Sequence, residues 1–169
     1  MSYVPSHIGQ VLMNPSALAV CTPSNDTSSA VGADVQFNAA SDFFGSLASA
    51  LSFSSGVITL PSGYFYFIEG STQTYATTLD SSTYCEYQWH NGAGYIGSHG
   101  RVVQQRNPDL QLTGRDEKAF ILVDATSGAV SVSLRITSVS QVDATGLNST
   151  TVQYVYAGMG RATVWRLDP

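Results

Sequence analysis

The residues with the clearest potential for chemistry lie between positions 85 and 100. The GxGxxG pattern, by which a strand–turn–helix unit brings backbone amides to a dinucleotide pyrophosphate, is matched by residues 92–97. That unit needs a helix after the glycines, and residues 98–103 have no helical period. Asn91-Gly92 is instead a typical signal of a β-hairpin turn. We therefore expect a hairpin here and no nucleotide cofactor.

The same region holds side chains that could bind a metal ion. His90 and His99 flank the expected hairpin, and Cys85 and Glu86 precede it. A metal site needs three or four convergent ligands, often at close spacings such as CxxC or HxxxH, and neither spacing occurs in the chain. The sequence therefore predicts no metal site. Cys85 alternates with aromatic residues on one strand face, so we expect a buried, unreactive thiol.

No nucleophilic or acid–base motif is found in the rest of the chain. The GxSxG elbow of serine hydrolases is absent, and the charged run Arg115–Lys118 is typical of a solvated turn between strands. Two of the 12 carboxylates could pair across a cleft, as glycoside hydrolysis requires, but sequence spacing does not place them. We expect no catalytic residues and no enzyme, with a small carbohydrate-active enzyme as a third-ranked alternative.

The elements that position these residues are predicted to be β-strands. The central strand follows a turn at residues 61–63. Tyr64 and Tyr66 point to one face of this strand, and Phe65 and Phe67 point to the other. Because both faces are apolar, we expect the strand to be covered on both sides, as in the middle of a packed sandwich.

The other predicted strands share a period of two and turn residues at their ends. Together the strands span residues 56–60, 63–69, 83–90, 94–103, 118–124, 129–138, 151–157 and 161–167. Before them we expect a short strand at residues 35–37 and a helical turn over residues 43–51, capped by Ser41 or Asp42. Short strands with turns at regular spacing predict an all-β sandwich.

Residues 1–33 differ from the rest by their prolines and by the polar run at residues 24–29. The apolar residues of this segment are too interrupted to form a core. We therefore predict an extended N-terminal arm with one short strand, residues 1–33, ahead of a sandwich domain, residues 34–169. The residues expected to bind a partner are apolar residues of this arm and tyrosines that could meet their copies across an oligomer axis. They are Val11, Leu12, Met13, Leu18, Tyr154 and Tyr156.

The composition is poor in charge. Charged residues make up 11% of the chain, less than half of the usual quarter, and the net charge is -5. The cationic residues are scattered, which argues against nucleic acid as a partner, and no stretch predicts a membrane span or a signal peptide. Low charge is typical of surfaces buried against neighbouring subunits, and also of extracellular β-proteins rich in Ser and Thr. Composition leaves both possibilities open.

Three features resemble the C1q/TNF-like jelly-roll family over residues 57–167. They are the turn and aromatic strand at residues 61–67, the Asn91-Gly92 hairpin, and the closing strand within residues 158–167. With its low charge, its predicted arm and no collagen-like or transmembrane stalk, the chain looks more like the bacteriophage virion proteins that carry this fold. The resemblance implies a C1q/TNF-like jelly-roll sandwich that assembles as a homotrimer.

The function that this resemblance implies is that of a virion structural protein. We expect a trimeric capsid decoration (cement) protein, made in the host cytoplasm, that binds the major capsid protein on the surface of a phage head. The alternative is a receptor-binding knob of a head or tail fibre, which would expose aromatic residues at loop tips, such as Tyr75, Trp89 and Tyr95. No catalytic, cofactor-binding or metal-binding residue carries over from the family.

Overall fold

The computed structural model describes residues 15–23, 27–29, 31–72, 82–106, 112–142, 148–149, 152–155 and 160–168. Most of these residues lie in β-strands, and their helical content is one 3-10 turn at Ala48–Ala50. The strands in chain order are β1 (Pro15–Pro23), β2 (Thr27–Ser29), β3 (Phe37–Phe44), β4 (Ser52–Ser54), β5 (Val57–Leu60), β6 (Phe65–Ser71), β7 (Ser82–His90), β8 (Tyr95–Arg106), β9 (Leu112–Glu117), β10 (Ala119–Asp124), β11 (Val130–Val142), β12 (Asn148–Ser149), β13 (Val152–Val155) and β14 (Arg161–Leu167).

The strands form two main antiparallel sheets with one core between them. The five-stranded sheet has the order β10-β6-β14-β1-β3. The larger sheet has the order β4-β5-β11-β7-β8-β9, with β12 beside β11, while β13 and β2 pair only with each other. Buried residues of both sheets belong to one hydrophobic cluster, so the two sheets are the layers of one sandwich. The all-β sandwich predicted from the sequence is confirmed.

A row of small residues crosses the inner face of the five-stranded sheet. Directly opposed residues of neighbouring strands point to the same side, and in this row they are Ala119, Gly70, Ala162, Cys21 and Ala40. Gly70 of this row leaves room for the largest buried residue, Trp89 of β7, because a Cβ atom at position 70 would lie 2.6 Å from its ring. Its indole N–H donates a 3.1 Å hydrogen bond to the Ala119 carbonyl, which links the two sheets.

A second buried aromatic with a satisfied polar end is Tyr87 of β7, which contacts β9 within the larger sheet. Its ring is fully buried, and its hydroxyl contacts the Glu117 carbonyl at 3.0 Å and the Asp116 carboxylate at 2.9 Å. Burial, together with the nearby Asp116 charge, raises the pKa of Tyr87 and keeps the hydroxyl protonated as a donor. The polar ends of both buried aromatics are therefore satisfied, as close packing of such residues requires.

The eight strands predicted between residues 56 and 167 are confirmed, with ends shifted by up to four residues. The helical turn predicted over residues 43–51 is only partly right. Asp42 accepts backbone hydrogen bonds from Leu47 at 2.8 Å and Ala48 at 2.6 Å, but the turn is the 3-10 helix Ala48–Ala50. Residues 37–44 form the strand β3, because pairing with β1 supplies the backbone hydrogen bonds that a helix would have made.

The predicted arm, residues 1–33, is in part a strand of the sandwich. β1 lies between β14 and β3, where Ala17, Ala19 and Cys21 are fully buried. Residues 15–23 therefore belong to the body of the fold. Residues 1–14 lie outside the described residues, and their separation from the domain stays a prediction.

The row of small residues leads to a test at Gly70. A Cβ atom at this position would lie 2.6 Å from a ring carbon of Trp89, so we expect Gly70→Ala to lower the free energy of unfolding by about 1–3 kcal/mol. Urea unfolding followed by circular dichroism measures this change. The matched control is Gly94→Ala, whose Cβ meets nothing within 4 Å. Equal stability of the two variants would contradict the packing of Trp89 against this row.

Candidate functional site

The outer face of the five-stranded sheet is apolar, and no described part of the chain covers it. One row of large side chains crosses all five strands: Leu122, Phe67, Trp165, Leu18 and Phe44 are directly opposed in register. At the two edges, the Leu122 side chain is 55% exposed and that of Phe44 is 39% exposed. We call this set of five residues the apolar row. It is continuous because every one of the five strands contributes a large apolar residue at the same level.

A groove deepens this face over β10, β6 and β14. Its volume is about 680 Å³. It is lined by Pro15, Phe67, Gly97, Ser98, Phe120, Ile121, Leu122, Trp165 and Leu167. Within it the Phe67 ring centroid lies 5.3 Å from that of Trp165 and 6.2 Å from that of Phe120. The walls of this cavity are thus packed aromatic side chains. We call the cavity the groove.

Strand β8 of the larger sheet forms the rim of the groove against β10. Gly97 has a φ of +73°, and a Cβ atom there would collide with Ile121 and with the Phe120 carbonyl. The next residue, Ser98, accepts a 2.9 Å hydrogen bond from the Phe120 N–H through its hydroxyl oxygen. The glycine therefore lets β8 reach the edge of β10, and the serine satisfies a backbone donor that an edge strand leaves unpaired.

Charged residues lie at the border of the face rather than in the apolar row. Lys118 forms a 3.1 Å salt bridge with Glu69, and Arg161 is exposed at the start of β14. These three residues line one small recess on the face. An exposed ion pair of this kind contributes little to stability. It places charged side chains at one end of the apolar surface.

The predicted hairpin at Asn91-Gly92 is confirmed, and it contains no nucleotide-binding geometry. The Asn91 side-chain oxygen accepts hydrogen bonds from the Ala93 and Gly94 amides, each at 3.0 Å, and Gly92 has a φ of +89°. The chain continues as strand β8 instead of a helix. The amides therefore close a turn and are not free for a phosphate.

His90 contributes to a polar network on the larger sheet. One ring nitrogen accepts a hydrogen bond from the Gly92 amide at 3.0 Å, and the other lies 3.2 Å from the Arg135 guanidinium. Arg135 pairs with Asp34 at 2.7 Å, and this hydrogen-bonded carboxylate raises the pKa of Arg135. Within the described residues no group of three His, Cys, Asp or Glu side chains could hold a metal ion.

The residues predicted to bind a partner are placed as follows. Leu18 lies in the apolar row, opposite Trp165. Tyr154 lies on β13, which pairs with β2 and is not part of the five-stranded sheet. Val11, Leu12, Met13 and Tyr156 lie outside the described residues. Of the aromatics expected at loop tips, Tyr95 is half exposed, whereas Trp89 is fully buried, so its predicted exposure is wrong; Tyr75 is not described.

Sequence analysis missed most of the apolar row and the groove. The prediction that β6 is covered on both sides is wrong within one chain, because the face carrying Phe67 lines the open groove. A signal was present in β10, where exposed Phe120 and Leu122 alternate with buried Ile121 and Val123. A strand that is apolar on both faces indicates either a central layer or an unfilled interface, and alternation alone does not separate the two.

No family model and no curated protein matches the sequence. Among solved structures, murine APRIL at pH 8.5 is similar with a TM-score of 0.48 and 8% identity, covering 89% of this chain and 98% of that chain. Eiger TNF from S. frugiperda is similar with a TM-score of 0.45 and 9% identity, covering 92% of this chain and 96% of that chain.

Both cysteines are free thiols and face the core. Cys21 and Cys85 are fully buried, and burial raises the pKa of each thiol to about 12. This environment agrees with the unreactive thiol expected at Cys85 and extends it to Cys21.

The thiols provide a direct test of this burial. With a pKa of about 12, the thiolate fraction at pH 8 is on the order of 1 in 10⁴, so we expect native protein to react with Ellman's reagent far more slowly than a free cysteine. In 6 M guanidinium both thiols should react within minutes. Rapid labelling of one thiol in the native protein would contradict the buried position of that residue.

Proposed function

We propose that this chain is a non-enzymatic virion structural protein that works as a homotrimer of jelly rolls and decorates a phage head. In this function the major capsid protein is the partner, and the capsid surface is the location. The observation that carries the proposal is the apolar row with its groove on the outer face of the five-stranded sheet. An exposed apolar face of this kind is stabilised when another protein surface buries it. The C1q/TNF-like resemblance implies that this surface belongs to an identical subunit.

The size and chemistry of the face support burial between subunits. Soluble monomers rarely expose contiguous apolar patches larger than about 300–600 Å². Full burial of one large apolar side chain contributes about 1.5–3 kcal/mol, and Phe120 and Leu122 are each more than half exposed. Several such residues are buried at every interface of a closed ring. Their burial free energy can then exceed the entropy cost of association.

The polar groups of the described residues support a structural role. Arg135 and Asp34 neutralise each other, as do Lys118 and Glu69, and Asp42 is engaged by backbone amides. Charged groups that are paired in this way hold loops and strands in place. A catalytic site would instead bring a general acid and a general base to a common cleft.

The segment before β1 is the part of the chain proposed to contact the capsid. Pro15, the first residue of β1, lines the groove. This segment contains the apolar run at residues 11–13. An arm that docks loses chain entropy, and apolar residues shared across capsid subunits would recover it.

The receptor-binding knob remains the second candidate. The observation that favours it is Tyr95, which is 49% exposed beside the Asn91-Gly92 hairpin and stacks edge-on against His90 at 5.3 Å. Exposed aromatic rings at loop tips suit contacts with glycans or with host proteins.

The trimer is tested by solution mass. We expect light scattering to give the mass of three chains for the wild type and of one chain for Leu122→Glu, because a carboxylate cannot be buried in the groove without a partner. The matched control is Ser131→Glu, an exposed position on the larger sheet, which should stay trimeric. A monomeric wild type, or a trimeric Leu122→Glu variant, would contradict burial of this face.

Capsid binding is tested with a truncation at residue 14, because residues 15–23 are needed for the sheet. We expect the protein that lacks residues 2–14 to remain a folded trimer and to lose co-sedimentation with undecorated heads of the virus that encodes it. Tyr95→Ala should keep full head binding. If the full-length trimer ignores heads but adheres to host cells through Tyr95, the receptor-binding knob replaces the decoration function.

A further inference from the structure

We infer that neighbouring subunits meet through a knob and a groove: the Phe43 ring of one copy enters the apolar groove of the next. This contact rests on the proposed homotrimer and specifies which two surfaces of the chain come together in it. Phe43 lies on β3, at one edge of the five-stranded sheet, and the groove extends from β10 at the opposite edge over β6 and β14.

The knob is created by a β-bulge in β3. Leu18 of β1 is opposite Phe44 and Ala19 is opposite Asp42, so Phe43 has no partner residue on β1. A bulged residue of this kind is turned away from the regular ladder. The Phe43 side chain is 78% exposed, more than any other large hydrophobic residue that the structure describes.

The knob is held rigidly. Just before it, the Asp42 carboxylate accepts hydrogen bonds from the Leu47 and Ala48 amides and ties β3 to the following turn. Just after it, Gly45 has a φ of +70°, and a Cβ atom there would lie 2.6 Å from that of Ala17. Because the backbone on both sides is fixed, presenting the ring to a partner costs little additional ordering.

The groove can accept this ring from another copy but not from its own chain. It is lined by Phe67, Phe120 and Trp165, and its volume of about 680 Å³ accommodates an aromatic side chain. Four strand spacings of about 4.8 Å separate β3 from β10, which puts Phe43 roughly 19 Å from the Phe120 wall of its own groove. A contact between two different patches of one chain is heterologous, and it generates a closed ring when the rotation between copies closes.

Charge at the two sites is complementary. Asp42 adjoins the knob, and its hydrogen bonds to backbone amides lower the pKa of its carboxyl, so it is ionised at neutral pH. The border of the groove carries two cations, Lys118 and Arg161, and one anion, Glu69. An acidic residue beside the knob therefore approaches a border with an excess of positive charge. Complementarity of this kind favours one orientation of the subunits.

The test is an engineered disulfide in the full-length protein, with Phe43→Cys and Phe120→Cys in one chain. Both positions are more than half exposed, so the variant should fold. A disulfide needs Cα atoms about 4.4–6.8 Å apart, which excludes a bond within one chain across the sheet. The buried Cys21 and Cys85 thiols do not compete. We expect mild oxidation to give covalent trimers on a non-reducing gel.

The matched control replaces the knob by another exposed apolar residue. Val31 is 60% exposed and lies outside β3, so the pair Val31→Cys and Phe120→Cys should give no covalent trimer. In the absence of disulfides, Phe43→Ser should raise the trimer dissociation constant at least about tenfold, whereas Val31→Ser should leave it unchanged.

The possible failures are distinguishable. A wild type that is trimeric by light scattering, with no more crosslinking for the Phe43 pair than for the Val31 pair, overturns the knob contact and leaves the proposed trimer standing. Covalent dimers without covalent trimers mean an isologous pair and also overturn the ring. A monomeric wild type defeats the proposed trimer itself, and the knob contact with it.

Discussion

Both faces of the five-stranded sheet are apolar, and the described part of the chain covers only one of them. The inner face packs against the larger sheet, where Gly70 makes room for the Trp89 ring and the Ala119 carbonyl accepts a hydrogen bond from its N–H. The outer face carries the apolar row, in which Phe67 and Trp165 form the centre. Most other features of the molecule follow from this asymmetry, because the hydrophobic effect acts on the outer face as it does on the core.

The closure of the sandwich creates the site. Strand β8 can reach β10 only where it has glycine, since a side chain at Gly97 would collide with Ile121. The same approach builds the rim that turns a flat apolar face into a groove. At the opposite edge, the bulge at Phe43 turns an aromatic ring outward. Strand β8, which closes the sandwich, thus shapes the groove. The β-bulge in β3 shapes the knob, and these are the two surfaces available for assembly.

The predicted boundary between arm and domain shows where residue periodicity identifies a strand and where it does not. Strands with large alternating residues, such as β11 and β14, are recognisable because their apolar side chains recur with a period of two. Strand β1 was assigned to an arm because its buried positions hold Ala17, Ala19 and Cys21. These residues carry little hydrophobic signal, yet the inner face requires them, since larger side chains would fill the space of the facing aromatics.

The sequence by itself determined the all-β class, the positions of most strands and the hairpin at Asn91-Gly92. Those properties depend on local periodicity and turn chemistry, which neighbouring residues encode. Only the tertiary structure decided that Leu18, Phe67 and Trp165 form one row, and that Phe43 lies at the sheet edge opposite β10. The physical reason is that the register between distant strands and the burial of each sheet face arise from long-range pairing and packing. Alternation within a single strand predicts neither of them.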